Sequence, residues 1–438
     1  MNKKILLILA ALPLTTLISG CSKGAAQKVT ELEKYVFEVD EYTTLDYDYA
    51  DKFWAKDNDN WGGGCSACTK ILDNGHRVIG RNMDLNISNK AAYVVRTNAG
   101  KYRTMGLAYT FRDYSLDYED VKAKGMTSHF SKILPFMCDD VMNDQGLHIE
   151  VNMRHGETYP DGSDMFAVEG TNPGKRRVHM FELPRYIAEN CKTIEEVKNY
   201  VANDLDIYSK NGYWNYCFII ADANGKATLL EFSGNGPAEM FGYDMKPYTF
   251  IDEEDIDEVT WLTTGSGSEE RSYSLNCLAQ TNFYINEWAY LREDTKSGEG
   301  RFLTMQNNIN NVHTSDDMYN LMDKISYSHF YEPYAQCKAL HFDPRSEQLA
   351  EFPGASYHLL MAPSLETKIA TMMDEYSAPI RALTRQQKRD DNKYWESTFT
   401  EVVDINEKSI LVRMFEDKNI KFKLTFEETI RIWDTTKN

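Results

Sequence analysis

A run of glycines followed by a cysteine constrains the fold of this chain more than any other stretch. Gly62-Gly63-Gly64 precede Cys65, and the residues after Cys65 alternate as they do in a strand. The chain turns at Asn74-Gly75, a pair typical of tight hairpins, and returns through Val78-Ile79 as a second strand. The pattern predicts a β-hairpin with Cys65 at its open end.

Two charged residues follow the return strand closely. Arg81 and Asp84 stand in the run Gly80-Arg81-Asn82-Met83-Asp84. Strand pairing brings both residues back beside the sulfur of Cys65. A nearby cation favours the thiolate, which is the nucleophilic form of cysteine. We therefore interpret Cys65 as a nucleophile with Arg81 and Asp84 as its electrostatic partners.

This hairpin resembles the start of the mature choloylglycine hydrolases and penicillin V acylases. In these cysteine members of the N-terminal-nucleophile hydrolases, a turn Gly follows the leading Cys by ten residues. The Arg of a Gly-Arg-Asn-Met-Asp run follows that Cys by sixteen. Gly75 and Arg81 stand ten and sixteen residues after Cys65, whereas counting from Cys68 gives the wrong spacing. The register therefore selects Cys65.

The resemblance implies an α+β fold, a four-layer αββα sandwich with helical insertions, for a catalytic domain at residues 65–438. Periodicity by itself indicates only a mixed α and β chain. The elements it predicts are a turn and strand at 143–152, helices at 181–187 and after Thr193, a solvated acidic loop at 252–258, hairpins at 216–232, 339–352 and 394–413, and a helical insertion at 364–390.

Further site residues follow from the same resemblance. Asn152, which ends the strand after the turn, would donate a hydrogen bond to the substrate or the oxyanion. Arg271 takes the position of a functional Arg in a Ser-rich segment. The second oxyanion position of the family holds a Thr-Asn pair, and here residues 248–250 and 262–264 each offer threonine without the Asn. Thr264 is the candidate donor.

The chemistry implied by the resemblance needs no histidine as a base. The α-amine of an N-terminal Cys65, with a pKa of about 7.7 to 8.0, would accept the thiol proton. Asp84 would orient that amine. The amine becomes free only when the Gly64-Cys65 bond is cut, and the thiol itself could attack the Gly64 carbonyl carbon. This chemistry requires no metal and no organic cofactor.

The beginning of the chain is typical of a bacterial lipoprotein signal at residues 1–21. Asn2-Lys3-Lys4 precede an apolar run at 5–17, and Cys21 would be lipidated. A plain signal peptide or a retained anchor are the alternatives. The polar, acidic residues 22–64 are predicted to be a tether and pro-segment. We expect an exported protein on the cell membrane, either released by cleavage after Gly64 or retained by packing of the cut segment.

The charge of the chain limits its partners. A formal net charge of −19 argues against nucleic acid and anionic membrane surfaces, because both attract clustered Lys and Arg. The predicted substrate is a small N-acyl amide, such as a conjugated bile acid or a penicillin V-like compound. The family also suggests a homo-oligomer.

Plainer readings of the same residues stay open. Cys65 could be a structural thiol or half of a bridge to Cys68, whereas a zinc site lacks a second ligand pair at usable spacing. Arg81 and Asp84 could form a surface ion pair. For the whole chain, the alternative is a non-catalytic lipoprotein that binds acylated ligands without cleaving them.

Overall fold

The computed structural model consists largely of β-sheet. It describes residues 28–33, 36–40, 63–86, 91–97, 101–110, 138–153, 168, 170–209, 216–232, 247–258, 275–282, 299–326, 395–414 and 420–433. Within these residues the strands are, in chain order, β1 (Lys28–Glu33), β2 (Val36–Asp40), β3 (Gly63–Ile71), β4 (Arg77–Asn86), β5 (Ala91–Thr97), β6 (Thr104–Thr110), β7 (Cys138–Asn143), β8 (His148–Met153), β9 (Arg176–His179), β10 (Leu205–Tyr208), β11 (Tyr216–Ala221), β12 (Ala227–Phe232), β13 (Tyr248–Asp252), β14 (Ala279–Gln280), β15 (Trp395–Asp404), β16 (Ser409–Met414), β17 (Ile420–Leu424) and β18 (Thr429–Trp433).

These strands form two large sheets and one small one. The nine-stranded sheet has the order β1-β2-β5-β6-β7-β8-β11-β12-β13, and the seven-stranded sheet has the order β14-β3-β4-β15-β16-β17-β18. Both are antiparallel except at the parallel β2–β5 pair. β9 and β10 form a separate parallel pair. Contacts between β3 and β8 join the two large sheets.

Helices pack against both large sheets. Within the described residues they are α1 (Leu183–Asn190), α2 (Ile194–Asn203), α3 (Glu299–Asn308) and α4 (Ser315–Ile325), with 3₁₀ turns at Met180–Glu182, Glu253–Glu258 and Ile309–Asn311. α1 contacts β7 and β8, while α4 contacts β4 and β15. The predicted α+β class with antiparallel sheets is confirmed. No helix in the described part of the chain is long and apolar enough to cross a membrane.

The predicted hairpin around Cys65 is present as β3 and β4. Its register places Cys65 opposite Met83, Ala67 opposite Arg81 and Gly64 opposite Asp84. Gly75 has a φ of 83°, the left-handed conformation that glycine adopts without strain. Directly opposed residues share a face of the sheet. Cys65 and Arg81 therefore lie on one face, and Asp84 lies on the other.

A β-bulge interrupts the pairing of β6 with β7. Leu107 pairs with Asp140 and Ala108 pairs with Cys138, so Asp139 is the extra residue. The strands approach closely here, because a Cβ added to Gly106 would lie 2.2 Å from the carbonyl oxygen of Asp140. Bulges re-aim side chains next to functional sites. This one allows two consecutive aspartates to approach the same neighbour.

Most predicted elements in the described residues are confirmed. The turn at 143–147 and the hairpins at 216–232 and 395–414 form as expected. Thr193 caps α2 by accepting a hydrogen bond from Glu196 N. The Glu196 carboxylate accepts from Lys192 N, 2.9 Å away, one residue before the cap.

Two regions differ from expectation. The acidic segment 252–258 is not simply a solvated loop, since Glu253 pairs with the buried Arg77, with 2.8 Å between Oε1 and Nη1. The expected tether at 22–64 contains β1 and β2, and β2 pairs with β5 at one end of the nine-stranded sheet. Sequence analysis missed these strands because few aliphatic residues mark them. The predicted hairpin at 339–352 and the insertion at 364–390 lie outside the described residues.

Candidate active site

Cys65 lies between the two large sheets, and only 2% of its surface is exposed. Its Sγ is 3.9 Å from Arg81 Nη2 and 3.4 Å from Met83 Sδ. Its backbone nitrogen donates to Asn282 Oδ1 at 3.2 Å. The sulfur and the nitrogen that would become the α-amine are therefore both held by side chains of the seven-stranded sheet and its continuation.

Burial controls the ionisation of this thiol. Removal from water raises the pKa of Cys65 to about 11, and the negative charges of Asp139 and Asp84 contribute to the rise. The guanidinium of Arg81 and the backbone N–H of Met153 lower that pKa without overcoming the burial. In the uncut chain Cys65 is therefore a protonated thiol at neutral pH.

Asp84 belongs to a buried network on the side of the hairpin that faces α3. Arg301 donates to Asp84 Oδ2 at 2.7 Å and to Asn282 Oδ1 at 2.6 Å, and Ser397 donates to Asp84 Oδ1. Since Asn282 Oδ1 also accepts from Cys65 N, Asp84 is connected to that nitrogen through Arg301 and Asn282. We call Asp84, Asn282, Arg301 and Ser397 the outer network.

The outer network also joins the two sheets. Asn282 Nδ2 donates to the carbonyl oxygen of Met153 at 2.6 Å, and Met153 ends β8 of the nine-stranded sheet. The side-chain oxygen of Asn282 thus holds the backbone nitrogen of Cys65, and its side-chain nitrogen binds the nine-stranded sheet. It acts as a positioning group.

Sequence analysis missed Asn282 and Arg301. Residues 281–282 are a Thr-Asn pair, the dipeptide that was sought between 248 and 264. The dipeptide was therefore a usable signal, placed later in the chain than expected. Thr264, Arg271 and the lipidation site Cys21 lie outside the described residues.

Asn152 is buried in β8 between two groups that contact the nucleophile end. The preceding carbonyl, of Val151, accepts a hydrogen bond from Arg81 Nη2, and the following N–H, of Met153, faces the Cys65 thiol. Asn152 Nδ2 is 3.5 Å from Glu150 Oε1, a long hydrogen bond that a stronger acceptor could replace. The structure thus brings Asn152 close to Cys65 and Arg81.

Arg81 is surrounded by acids between the sheets. Its Nε is 3.0 Å from Glu150 Oε2, its Nη2 is 3.7 Å from Asp139 Oδ2, and its Nη1 donates to Asp140. Glu401 stands opposite Arg81 in the β4–β15 pair. We call Asp139, Asp140, His148, Glu150 and Glu401 the inner cluster; all are at most 1% exposed.

Burial dominates the ionisation of the inner cluster. It raises the pKa of Glu150 and that of Glu401 to about 8 each, although the charge of Arg81 lowers both. The predicted surface ion pair of Arg81 with Asp84 is not formed. Arg81 is fully buried and pairs with the inner cluster, while Asp84 pairs with the outer network.

The other cysteines in the described residues are all buried free thiols. Cys68 Sγ contacts Met318 Sδ of α4 at 3.7 Å, on the face of β3 opposite to Cys65. A Cys65–Cys68 bridge is therefore not formed. Two groups of side chains in the described residues have metal-ligand spacing, and they are His76, Asp404 and Glu407, and Asp140, His148 and Glu401.

Residues 65–236 match the sequence profile of the linear amide C–N hydrolases, choloylglycine hydrolase family. The match begins at Cys65. It confirms the predicted resemblance and the predicted enzyme class, a hydrolase of linear amide C–N bonds. No curated protein matches the chain.

Three solved structures are similar in part. Two variants of conjugated bile acid hydrolase from Clostridium perfringens share 12% and 13% identity, with TM-scores of 0.37 and 0.38. The alignments cover 85% and 84% of this chain and 93% and 97% of those chains. Penicillin V acylase from Agrobacterium tumefaciens shares 13% identity with a TM-score of 0.34, over 85% of this chain and 87% of that one. These scores are too low to carry an argument.

Proposed function

Because residues 65–236 belong by sequence to the choloylglycine hydrolase family of linear amide C–N hydrolases, we propose that this chain cleaves an N-acyl amide through Cys65. The substrate is a small acylated amine of the conjugated bile acid or penicillin V kind. Cys65 becomes the active nucleophile once residues up to Gly64 are removed. The α-amine freed by that cut is the base.

One observation carries this proposal: Asn282 of the outer network holds the backbone nitrogen of Cys65, and Arg81 lies beside the sulfur of the same residue. A nitrogen fixed by Asn282 and Arg301 needs no rearrangement to serve as a base, because covalent geometry already places it next to Sγ. The raised pKa of the thiol in the uncut chain agrees with an enzyme that is inactive before cleavage.

The reaction then follows from the geometry. The α-amine of Cys65 takes the thiol proton as Sγ attacks the amide carbonyl carbon, and Asn152 donates to the oxyanion. The tetrahedral intermediate collapses, the leaving amine takes the proton from the α-ammonium, and a thioester remains on Cys65. Water, deprotonated by the same α-amine, hydrolyses the thioester to the carboxylic acid. Arg301 supports the nucleophile end, the role predicted for Arg271, and Thr264 remains a proposed second donor.

The fold and location belong to the same proposal. We assign residues 65–438 to a four-layer αββα catalytic domain, which the packing of helices on both large sheets supports. Residues 1–21 are a lipoprotein signal with Cys21 as the lipidated residue. The pairing of β2 with β5 supports retention of the cut segment, since those hydrogen bonds survive cleavage after Gly64. The enzyme then stays at the membrane as two chains.

The experiment is N-terminal sequencing and intact mass measurement of the protein recovered from an exporting host, beside a Cys65→Ser variant. We expect a start at Cys65 in the wild type and an uncut chain in the variant. The cut protein is then incubated with conjugated bile acids and penicillin V, and amine release is followed by mass spectrometry. An active enzyme in which Gly64 and Cys65 are still joined would contradict the proposal.

A second function applies if Cys65 stays a buried, protonated thiol within an intact chain. If the Gly64-Cys65 bond stays intact, the chain has a buried thiol with a raised pKa and no free α-amine, which suits a lipoprotein that binds acylated ligands without cleaving them. The same experiment separates the two functions. Binding of an acylated amine by uncut wild type, without amine release, would establish the binding protein.

A further inference from the structure

Three side chains of metal-ligating type converge between the two sheets. Asp140 comes from β7, His148 from β8 and Glu401 from β15, and one ligand atom of each lies within 4.8 Å of the others. All three residues are 0% exposed. Ligand atoms of a tetrahedral zinc site lie roughly 3.3 Å apart at zinc–ligand distances of about 2.0 to 2.2 Å. The spacing is therefore compatible with a single ion.

His148 gives an observation independent of the acids. Within the described residues neither of its ring nitrogens has a hydrogen-bond partner, although the residue is fully buried. A neutral imidazole offers one donor and one acceptor, and buried polar groups are nearly always paired. Asp140 Oδ1, Glu401 Oε1 and Glu401 Oε2 are also buried without hydrogen-bond partners among the described residues. Each of the three residues of this group therefore has at least one buried ligand atom that no hydrogen bond uses.

The charge of this region adds a third argument. Asp139, Asp140, Glu150 and Glu401 are four buried carboxylates around the single guanidinium of Arg81. Isolated buried charges are costly, and proteins pair them or coordinate metals with them. Arg81 pairs with Asp140 Oδ2, and Asp140 Oδ1 has no hydrogen-bond partner among the described residues.

We infer that Asp140, His148 and Glu401 bind one divalent transition-metal ion of the zinc or manganese kind. One imidazole and two carboxylates suit such ions, and β15 belongs to a different sheet from β7 and β8. The ion fastens the two sheets behind Arg81 and fixes the guanidinium that faces Cys65. Its role is structural, so the inference stands whether or not the chain cleaves amides.

The structure provides a matched control site. His76, Asp404 and Glu407 also have metal-ligand spacing, but His76 Nδ1 is already 3.0 Å from Asp404 Oδ2 and Glu407 pairs with Lys423 at 2.9 Å. His76 and Glu407 are also partly exposed to water. Because these groups are paired and hydrated, we expect no tightly bound ion there.

The test uses the full-length Cys65→Ser protein as its background, because this change removes the nucleophile thiol. The background protein is compared with the same protein carrying His148→Gln, Glu401→Gln or the control change His76→Gln. Each protein is loaded with Zn²⁺ or, separately, Mn²⁺, which thiolates bind poorly, and then dialysed. Metal content is measured by mass spectrometry and thermal unfolding is recorded. We expect one ion per chain in the background protein and in His76→Gln, and a loss in the other two.

A second measurement applies if the buried variants fail to fold. A chelator should lower the Tm of the background protein, and Mn²⁺ should restore it, because an ion that binds only the folded state stabilises it. No retained ion in the background protein, equal retention in the His148 and Glu401 variants, or a loss in His76→Gln alone would overturn the inference. Since Cys65 is absent from these proteins, none of these results depends on amide hydrolysis.

Discussion

The outer network and the inner cluster are two buried ionic regions on opposite faces of the same hairpin, and they differ in how completely their groups are paired. In the outer network Asp84 accepts hydrogen bonds from Arg301 and Ser397, so its carboxylate is paired with a guanidinium. In the inner cluster Arg81 faces four carboxylates, and among the described residues several of their oxygens and both nitrogens of His148 have no hydrogen-bond partner. A network whose acidic and basic groups are paired can position its side chains. A cluster with more carboxylates than basic groups needs protons or a bound cation to neutralise the excess negative charge.

The largest expected difference is between two buried Asp→Asn variants. Asp84→Asn should destabilise the protein by about 3 to 5 kcal/mol, because the buried ion pair of Asp84 with Arg301 would lose one of its two charges. The free energy of unfolding is measured by urea denaturation at pH 7. The comparison breaks if Asp84→Asn unfolds at the same urea concentration as wild type.

The pKa of the Cys65 thiol shows how strongly the charge of Arg81 stabilises the thiolate. Since burial raises its pKa to about 11 from 9.0, the thiolate fraction at pH 8 is about 100-fold below that of a free thiol. Alkylation by iodoacetamide should therefore keep rising, about tenfold per pH unit, up to about pH 11.

Mass spectrometry of the peptide that spans Gly64-Cys65 restricts this measurement to uncut chains. Cys138, whose pKa burial raises to about 12, serves as the control. A rate that levels off near pH 8 would mean that Arg81 activates the thiol before cleavage.

The matched variant in the inner cluster should behave in the opposite way. Asp139→Asn removes one acid from an excess of carboxylates; burial raises the pKa of Asp139 well above its usual value, and its nearest described cation, Arg81 Nη2, is 3.7 Å from Oδ2. We expect a change in the free energy of unfolding of under about 1 kcal/mol, or a gain in stability. Urea denaturation in the presence of a chelator measures it. A loss as large as that of Asp84→Asn would show that the inner cluster is balanced after all.

The smallest effect sets the baseline for both regions. Lys423 pairs with Glu407 at 2.9 Å, and both side chains are more than 40% exposed. Lys423→Met should change the free energy of unfolding by about 0.2 to 1 kcal/mol, and less at high salt, because water and ions screen the pair. Denaturation at two salt concentrations tests this expectation. A loss of more than about 1 kcal/mol in the free energy of unfolding would mean that this surface pair cannot serve as the reference for the two buried regions.

What the sequence revealed depended on distance along the chain. The hairpin, its turn and the approach of Arg81 to Cys65 are local, because a two-strand register fixes them. Asn282 and Arg301 each contact the hairpin across 217 residues, and no local pattern specifies such a contact. Only the Thr-Asn dipeptide at 281–282 marked the place.

The inner cluster was hidden for another reason. Polar residues alternate along β8 at His148, Glu150 and Asn152, a pattern that usually indicates a face exposed to water. Here both faces of β8 are buried. The sequence shows the alternation, but only tertiary packing, with β3 and α1 both in contact with β8, removes the polar face from water.

Because β1 and β2 precede Cys65, it matters whether the segment is present when the nine-stranded sheet forms. While β2 is bound, one side of β5 has its backbone groups paired with β2. A protein synthesised from Cys65 onward would leave that edge bare, and bare sheet edges recruit strands from other molecules. The segment before the nucleophile would then act as a built-in guard against self-association. If the proposed cut after Gly64 occurs, this segment becomes a separate peptide, and its dissociation would expose the edge of β5 to other molecules.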